Sequence, residues 1–114
     1  REQIKMLTYG HAGDGNLHVN FLWNDAGERP AVDRAIDLLM RATIDLGGTL
    51  SGEHGIGVEK RDHMPLLFPP ETLRTMAEVR AVFNPTGLCN PGKVLPTSHG
   101  CAYDIQPRTG AVSV

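Results

Sequence analysis

No stretch of this sequence is both long and apolar enough to cross a bilayer, which takes about 20 consecutive apolar residues. Nor is there an excess of positive charge: 11 Lys and Arg stand against 13 Asp and Glu, a net charge of −2 with histidine neutral. Phosphate backbones are bound by basic patches, and none is visible, so nucleic acid is excluded as a partner. Cysteine is scarce. Cys89 and Cys101 do not make a disulfide framework, and the plain reading is a cytoplasmic protein with both thiols reduced. No signal peptide is expected, because Arg1-Glu2-Gln3-Ile4-Lys5 has no apolar core behind its charge. The chain also opens without methionine, straight into strand-like sequence, as a fragment of something longer would. What remains is one small domain's worth of chain: 114 residues, 40% hydrophobic and 21% charged.

What the sequence does have is concentrated in two short pieces. One is Gly10-His11-Ala12-Gly13-Asp14-Gly15-Asn16-Leu17-His18, the other Ser51-Gly52-Glu53-His54-Gly55-Ile56-Gly57. Together they hold three imidazoles and two carboxylates among glycines, and the expectation is that they meet in space as part of an active site.

The surrounding chain reads as an α+β arrangement. Ile4 to Thr8 is a short apolar run expected to be a strand. Leu17 to Trp23 alternates, with Leu17, Val19, Phe21 and Trp23 on one face and His18, Asn20 and Leu22 on the other. Asn24-Asp25-Ala26-Gly27 is a turn cluster. Pro30 suits the first helical position, after which Val32, Ala35, Ile36, Leu39, Thr43 and Leu46 recur at helical spacing. Gly47-Gly48 would end that helix through a left-handed cap. Thr49-Leu50-Ser51 is at most a stub of strand. Lys60 to Leu67 suggests a helical turn or two interrupted by Pro65. Pro69-Pro70 opens a second amphipathic helix, with Leu73, Met76, Ala77, Val79, Arg80 and Phe83 along it, stopped by Asn84-Pro85. Residues 97–114 show no periodicity and are expected to be an irregular tail. No internal repeat is present.

A borderline divalent metal takes imidazole nitrogen and carboxylate oxygen, and a catalytic site keeps one position open. His11, His18 and Glu53 would supply three such ligands and leave a net charge of +1, suited to an anionic alkoxide. Seven residues apart, the two histidines fall on opposite faces of a continuous strand, so the chain must bend between them, at Gly13 and Gly15. His54, beside Glu53, is free to handle a proton. Each histidine alone is most simply a turn residue; two in one loop, with Glu-His in another, put a site on an equal footing with that reading. Asp14 is most simply a turn-former, Asn16 and Asn20 ordinary polar residues, and His63 and His99 have no assigned role. The His-Glu-x-x-His metalloprotease helix is absent, as are the Gly-x-Ser-x-Gly elbow and the third glycine of a dinucleotide loop.

The first piece closely resembles the Gly-His-x-Gly-Asp-Gly-Asn-x-His signature of the FAD-linked oxidase C-terminal domain. That domain belongs to the glycolate oxidase D-subunit, D-lactate dehydrogenase and D-2-hydroxyglutarate dehydrogenase group of vanillyl-alcohol-oxidase-like flavoproteins. Gly52-Glu53-His54-Gly55-Ile56-Gly57 resembles the family's second motif, and Phe83-Asn84-Pro85-x-Gly87-x-x-Asn90-Pro91-Gly92-Lys93 its closing segment, with Asn84 where the family often has Asp. The resemblance implies metal ligands at His11, His18 and Glu53, usually for zinc or manganese, a substrate contact at Asn20, and a general base at His54. It implies FAD and a small 2-hydroxy acid, the metal lowering the pKa of the hydroxyl while hydride leaves the neighbouring carbon for flavin N5. The fold implied is part of a ferredoxin-like C-terminal domain over residues 1–96: a small antiparallel sheet, helices on one face, and an extended C-terminal coil. The FAD-binding domain of the same parent chain, an electron acceptor and further oxidase subunits are the implied partners, the latter placing the protein at the periphery of a membrane. Alone, the fragment is expected to be inactive and to self-associate through unpaired sheet edges. Two rivals are a stand-alone metal-binding or assembly module without redox activity, and a metallohydrolase using His54 as base.

Overall fold

A computed structural model describes residues 4–96. The irregular tail expected over 97–114, with His99 and Cys101, lies outside the described residues. The chain divides into two compact units, Arg1–Gly55 and Ile56–Val114. The described elements are a two-stranded antiparallel sheet and three α-helices, the α+β arrangement expected.

The first unit is built on a hairpin, β1 (Lys5–His11) and β2 (Asn16–Leu22). β1 runs three residues beyond the expected Thr8, through Tyr9 and Gly10 to His11, because the Gly-rich piece is itself mostly strand. Only Ala12 to Gly15 form the turn. The Asp14 N–H donates to the His11 carbonyl at 3.0 Å, and Gly15 closes the turn at φ +66°, a left-handed conformation costly to any residue with a Cβ. Register pairs His11 with Asn16, Tyr9 with His18 and Leu7 with Asn20. Facing residues of an antiparallel pair share a face, so Tyr9, His11, Asn16, His18 and Asn20 all lie on one side. Leu17, Val19 and Phe21 lie on the other, as the alternation predicts. Every residue of β1 is exposed.

Beyond β2, Trp23 is partly exposed and carries the Arg29 guanidinium over its ring, 5.7 Å from the centroid. The turn cluster becomes a short 3-10 segment, Ala26–Glu28. Asp25 Oδ1 accepts from the Gly27 N–H at 2.7 Å, and Glu28 accepts from the Asn24 N–H at 2.8 Å, two bonds that hold the 3-10 turn leading into the helix. Helix α1 spans Arg29–Asp45 with Pro30 in its first turn. Val32 is its fully buried residue, while Ala35, Ile36, Leu39 and Thr43 are half-buried. Leu46, assigned to this stripe by its spacing, lies past the helix end and is 89% exposed. Two exposed ion pairs, Arg29–Asp33 and Asp37–Arg41, bridge successive turns and, screened by water, contribute little to stability. The hydrogen bonds that Arg41 donates to the Asp37 carboxylate, and the charge of that carboxylate, raise the Arg41 pKa. Gly47, at φ +80°, ends the helix as expected, with the Gly47 and Gly48 N–H groups donating to Ile44 and Thr43. No strand follows among the described residues: Thr49-Leu50-Ser51 is irregular, although Leu50 is buried. A short β-prone run does not become a strand without a neighbour to pair with.

In the second unit, a 3-10 turn at Arg61–His63 leads into α2 (Met64–Leu67). Pro65 opens α2 rather than interrupting a helix, since a first-turn proline sacrifices no helical hydrogen bond. Helix α3 spans Pro70–Phe83. Leu73 is buried and Met76, Ala77 and Arg80 are half-buried, whereas Val79 and Phe83, expected on the same stripe, are exposed. After Asn84 the chain turns repeatedly, and side chains hold it. Arg80 donates to the carbonyls of Cys89, Asn90 and Lys93, Arg61 to that of Gly92, and Asn84 exchanges two hydrogen bonds with the backbone of Cys89. Asn90 and Val94 both have positive φ there; for a β-branched residue this persists only where the surroundings over-determine it. The Val94 N–H donates to the Gly57 carbonyl at 2.8 Å.

Candidate functional site

The hairpin turn resolves the problem posed by the spacing of the histidines. His11 faces Asn16, and His18 stands two residues along the same face of β2. The imidazoles are therefore diagonal neighbours, their ring centroids 6.2 Å apart. Glu53 comes from the irregular segment after α1, and its Oε1 lies 3.1 Å from His18 Nε2. One nitrogen from each histidine and one carboxylate oxygen all lie within 4.8 Å of one another. Ligand atoms around a single zinc at 2.0–2.2 Å lie within about 4 Å of each other. Small side-chain rotations would close the difference, so these three residues could hold a divalent cation. His18 is the sheltered member, its side chain 20% exposed; His11 and Glu53 are exposed.

His54 follows Glu53 and is not among those three. Its ring lies 4.8 Å from that of His18, tilted by 36°, and its Nε2 is 3.6 Å from Glu53 Oε1. At 69% exposed, its second nitrogen is accessible to a reactant's proton. The expected division, one neighbour for a metal and the other for a proton, is thus geometrically available. Asn20 is exposed on the same face as His18, opposite Leu7.

Two residues of the face were not singled out by the sequence. Tyr9 sits directly across from His18 with its ring 5.1 Å away. Asn16, read as an ordinary polar residue, has its carboxamide against the second piece: a Cβ on Gly52 would overlap Oδ1 and stand 2.7 Å from Cγ. The available signal was the four-residue Gly-rich turn between two apolar runs, a hairpin signature that sets which residues face each other.

A hairpin face bearing two imidazoles, met by a carboxylate from the segment after α1, forms a cluster that could hold a metal ion, with a third imidazole beside it. Comparison with protein families matches residues 1–94 to "FAD linked oxidases, C-terminal domain", and the chain belongs to that family. It is 43% identical over 101 residues to the glycolate oxidase subunit GlcD of Escherichia coli K12, a match covering 87% of this chain and 20% of that protein. It is 42% identical over 92 residues to the D-lactate dehydrogenase of Archaeoglobus fulgidus (81% and 20%). With the D-2-hydroxyglutarate dehydrogenase of Stutzerimonas stutzeri the identity is 36% over 98 residues (80% and 20%). The chain thus spans about a fifth of the length of these curated relatives. No solved structure matches.

Proposed function

We propose that this chain supplies the metal-binding and proton-accepting part of an FAD-dependent dehydrogenase or oxidase for small 2-hydroxy acids of the glycolate or D-lactate type. The observation that carries the reading is the convergence of His11, His18 and Glu53 on one small volume, within a chain of the FAD-linked oxidase family. These three residues would hold zinc or manganese, which supplies Lewis acidity toward the substrate hydroxyl. FAD, the family's cofactor, supplies the acceptor for the hydride from the substrate's C2. His54, accessible and outside the ligand set, takes the hydroxyl proton as general base. Asn20, on the same face, donates its amide to the substrate carboxylate or hydroxyl. The FAD-binding domain of the parent protein, further oxidase subunits and an electron acceptor complete the proposed assembly, placed in the cytoplasm or at the membrane's edge. Residues 1–96 are the proposed domain portion.

The test is anaerobic flavin reduction by D-lactate or glycolate in the flavin-containing protein that carries this sequence. Replacing His54 with Ala is expected to slow reduction by about a hundred- to ten-thousand-fold; an unchanged rate removes His54 from the mechanism. One observation favours a second reading, a metal-binding module without redox chemistry: all three candidate ligands lie within the first unit. Reduction of bound flavin by either acid decides against it.

A further inference from the structure

We infer that Asn16 is a positioning residue for the ligand set, holding the segment that carries Glu53 against the hairpin; the inference rests on the metal site proposed above. Asn16 is half-buried, directly opposite His11 and two residues before His18 on the same face. Its carboxamide lies over the α-carbon of Gly52, where a Cβ would overlap Oδ1 and stand 2.7 Å from Cγ and 3.2 Å from Nδ2. Gly13, Gly15 and Gly55 would have nothing within 4 Å of an added Cβ, and the nearest atoms to one on Gly10, beside His11, would be the hairpin's own backbone at Asn16 and Leu17. Gly52 is therefore where the second piece comes down on the first, and the Asn16 side chain is what it lands on.

One peptide further along, Glu53 places Oε1 3.1 Å from His18 Nε2. A shift of Gly52 is thus passed almost undiminished to a candidate ligand. Without the carboxamide the segment loses its footing, and ordering it becomes part of the cost of binding a metal. Adding a Cβ at Gly52 pushes the same contact apart from the other side. Both changes leave all three ligand side chains in place. Residues that orient ligands without touching the ion typically account for about ten- to hundred-fold in affinity.

Zinc alone, titrated into the intact protein against a chromophoric chelator, tests this, with thermal unfolding measured on each variant. Asn16→Ala and Gly52→Ala are each expected to weaken zinc binding by about ten- to hundred-fold. Gly52→Ala made in the Asn16→Ala background is expected to cost little more, because the atoms that the Cβ would strike are gone. Full affinity in Gly52→Ala, or losses that simply multiply in the double variant, would overturn the positioning role. Glu53→Gln separates this failure from failure of the site: if it binds weakly while Asn16→Ala and Gly52→Ala bind normally, only the positioning role falls. If the unaltered protein takes up no zinc, or Glu53→Gln binds as well as it does, the ligand set itself is wrong, and the role of Asn16 falls with it.

Discussion

Each unit has one concentration of polar side chains, and the two are used in opposite ways. In the second, Arg61, Arg80 and Asn84 are bonded to main-chain carbonyls of the segment from Cys89 to Lys93, and the result is a shaped backbone. In the first, His11, His18, Glu53 and His54 are turned toward one another on an open face. A guanidinium engaged by main-chain carbonyls is committed to the fold; an imidazole beside a carboxylate on an open face can exchange its partner for a substrate. Side chains bonded to backbone explain a fold. Those grouped together and accessible are the ones with chemistry to perform.

The sharpest way to break this comparison is to remove a grouped residue and look for damage to the fold. His18→Ala is expected to cost at least about a hundred-fold in zinc affinity, equivalent to ~2.7 kcal/mol, while the unfolding temperature moves little. A loss of stability of the same size would make His18 a structural residue. The converse experiment is Arg80→Ala, which strips three carbonyls of a charged donor. Hydrogen bonds to charged groups contribute a net ~1.5–3 kcal/mol each; these are exposed and water replaces part of what is lost, so denaturant melts should show a total loss of about 2 kcal/mol. Less than half of that would mean the segment holds its shape without the arginine.

A smaller effect is expected at the turn that brings the histidines together. Gly15→Ala forces a Cβ into the left-handed region, at ~1–2 kcal/mol, seen as a lowered unfolding midpoint and weaker zinc binding. Smallest of all should be Ser51→Ala. Its hydroxyl is buried with no hydrogen-bond partner among the described residues, so its removal should leave stability within ~0.5 kcal/mol or raise it slightly. A loss of 1 kcal/mol or more would reveal a partner for Ser51.

Much of this was legible in the sequence, and the failures share a cause. The alternation from Leu17, the opening of α1 at Pro30 and its close at Gly47-Gly48 are local properties, and local physics settled them. The residue types of the ligand set were legible for the same reason. Their arrangement was legible only in outline: the spacing required a bend at Gly13 and Gly15, but did not say which residues would face one another. A reversal of chain direction resets the count along the strand, and register then depends on where the turn falls. Leu46 and Phe83 have the right spacing but lie at helix ends, where periodicity no longer guarantees burial. Thr49-Leu50-Ser51 has strand composition and no described partner.

The position of Trp23 has a practical consequence. It is the molecule's one tryptophan, it sits at the end of β2, and it has a cation over its ring. Its emission therefore reports on the first unit, which carries it, whereas circular dichroism sees the helices of both. Heating a single sample while recording both signals asks whether the two units melt as one. Coincident curves mean a cooperative whole. An early change in emission would mean that the part bearing the grouped side chains loosens first, and the color of light leaving one indole ring would be enough to follow it.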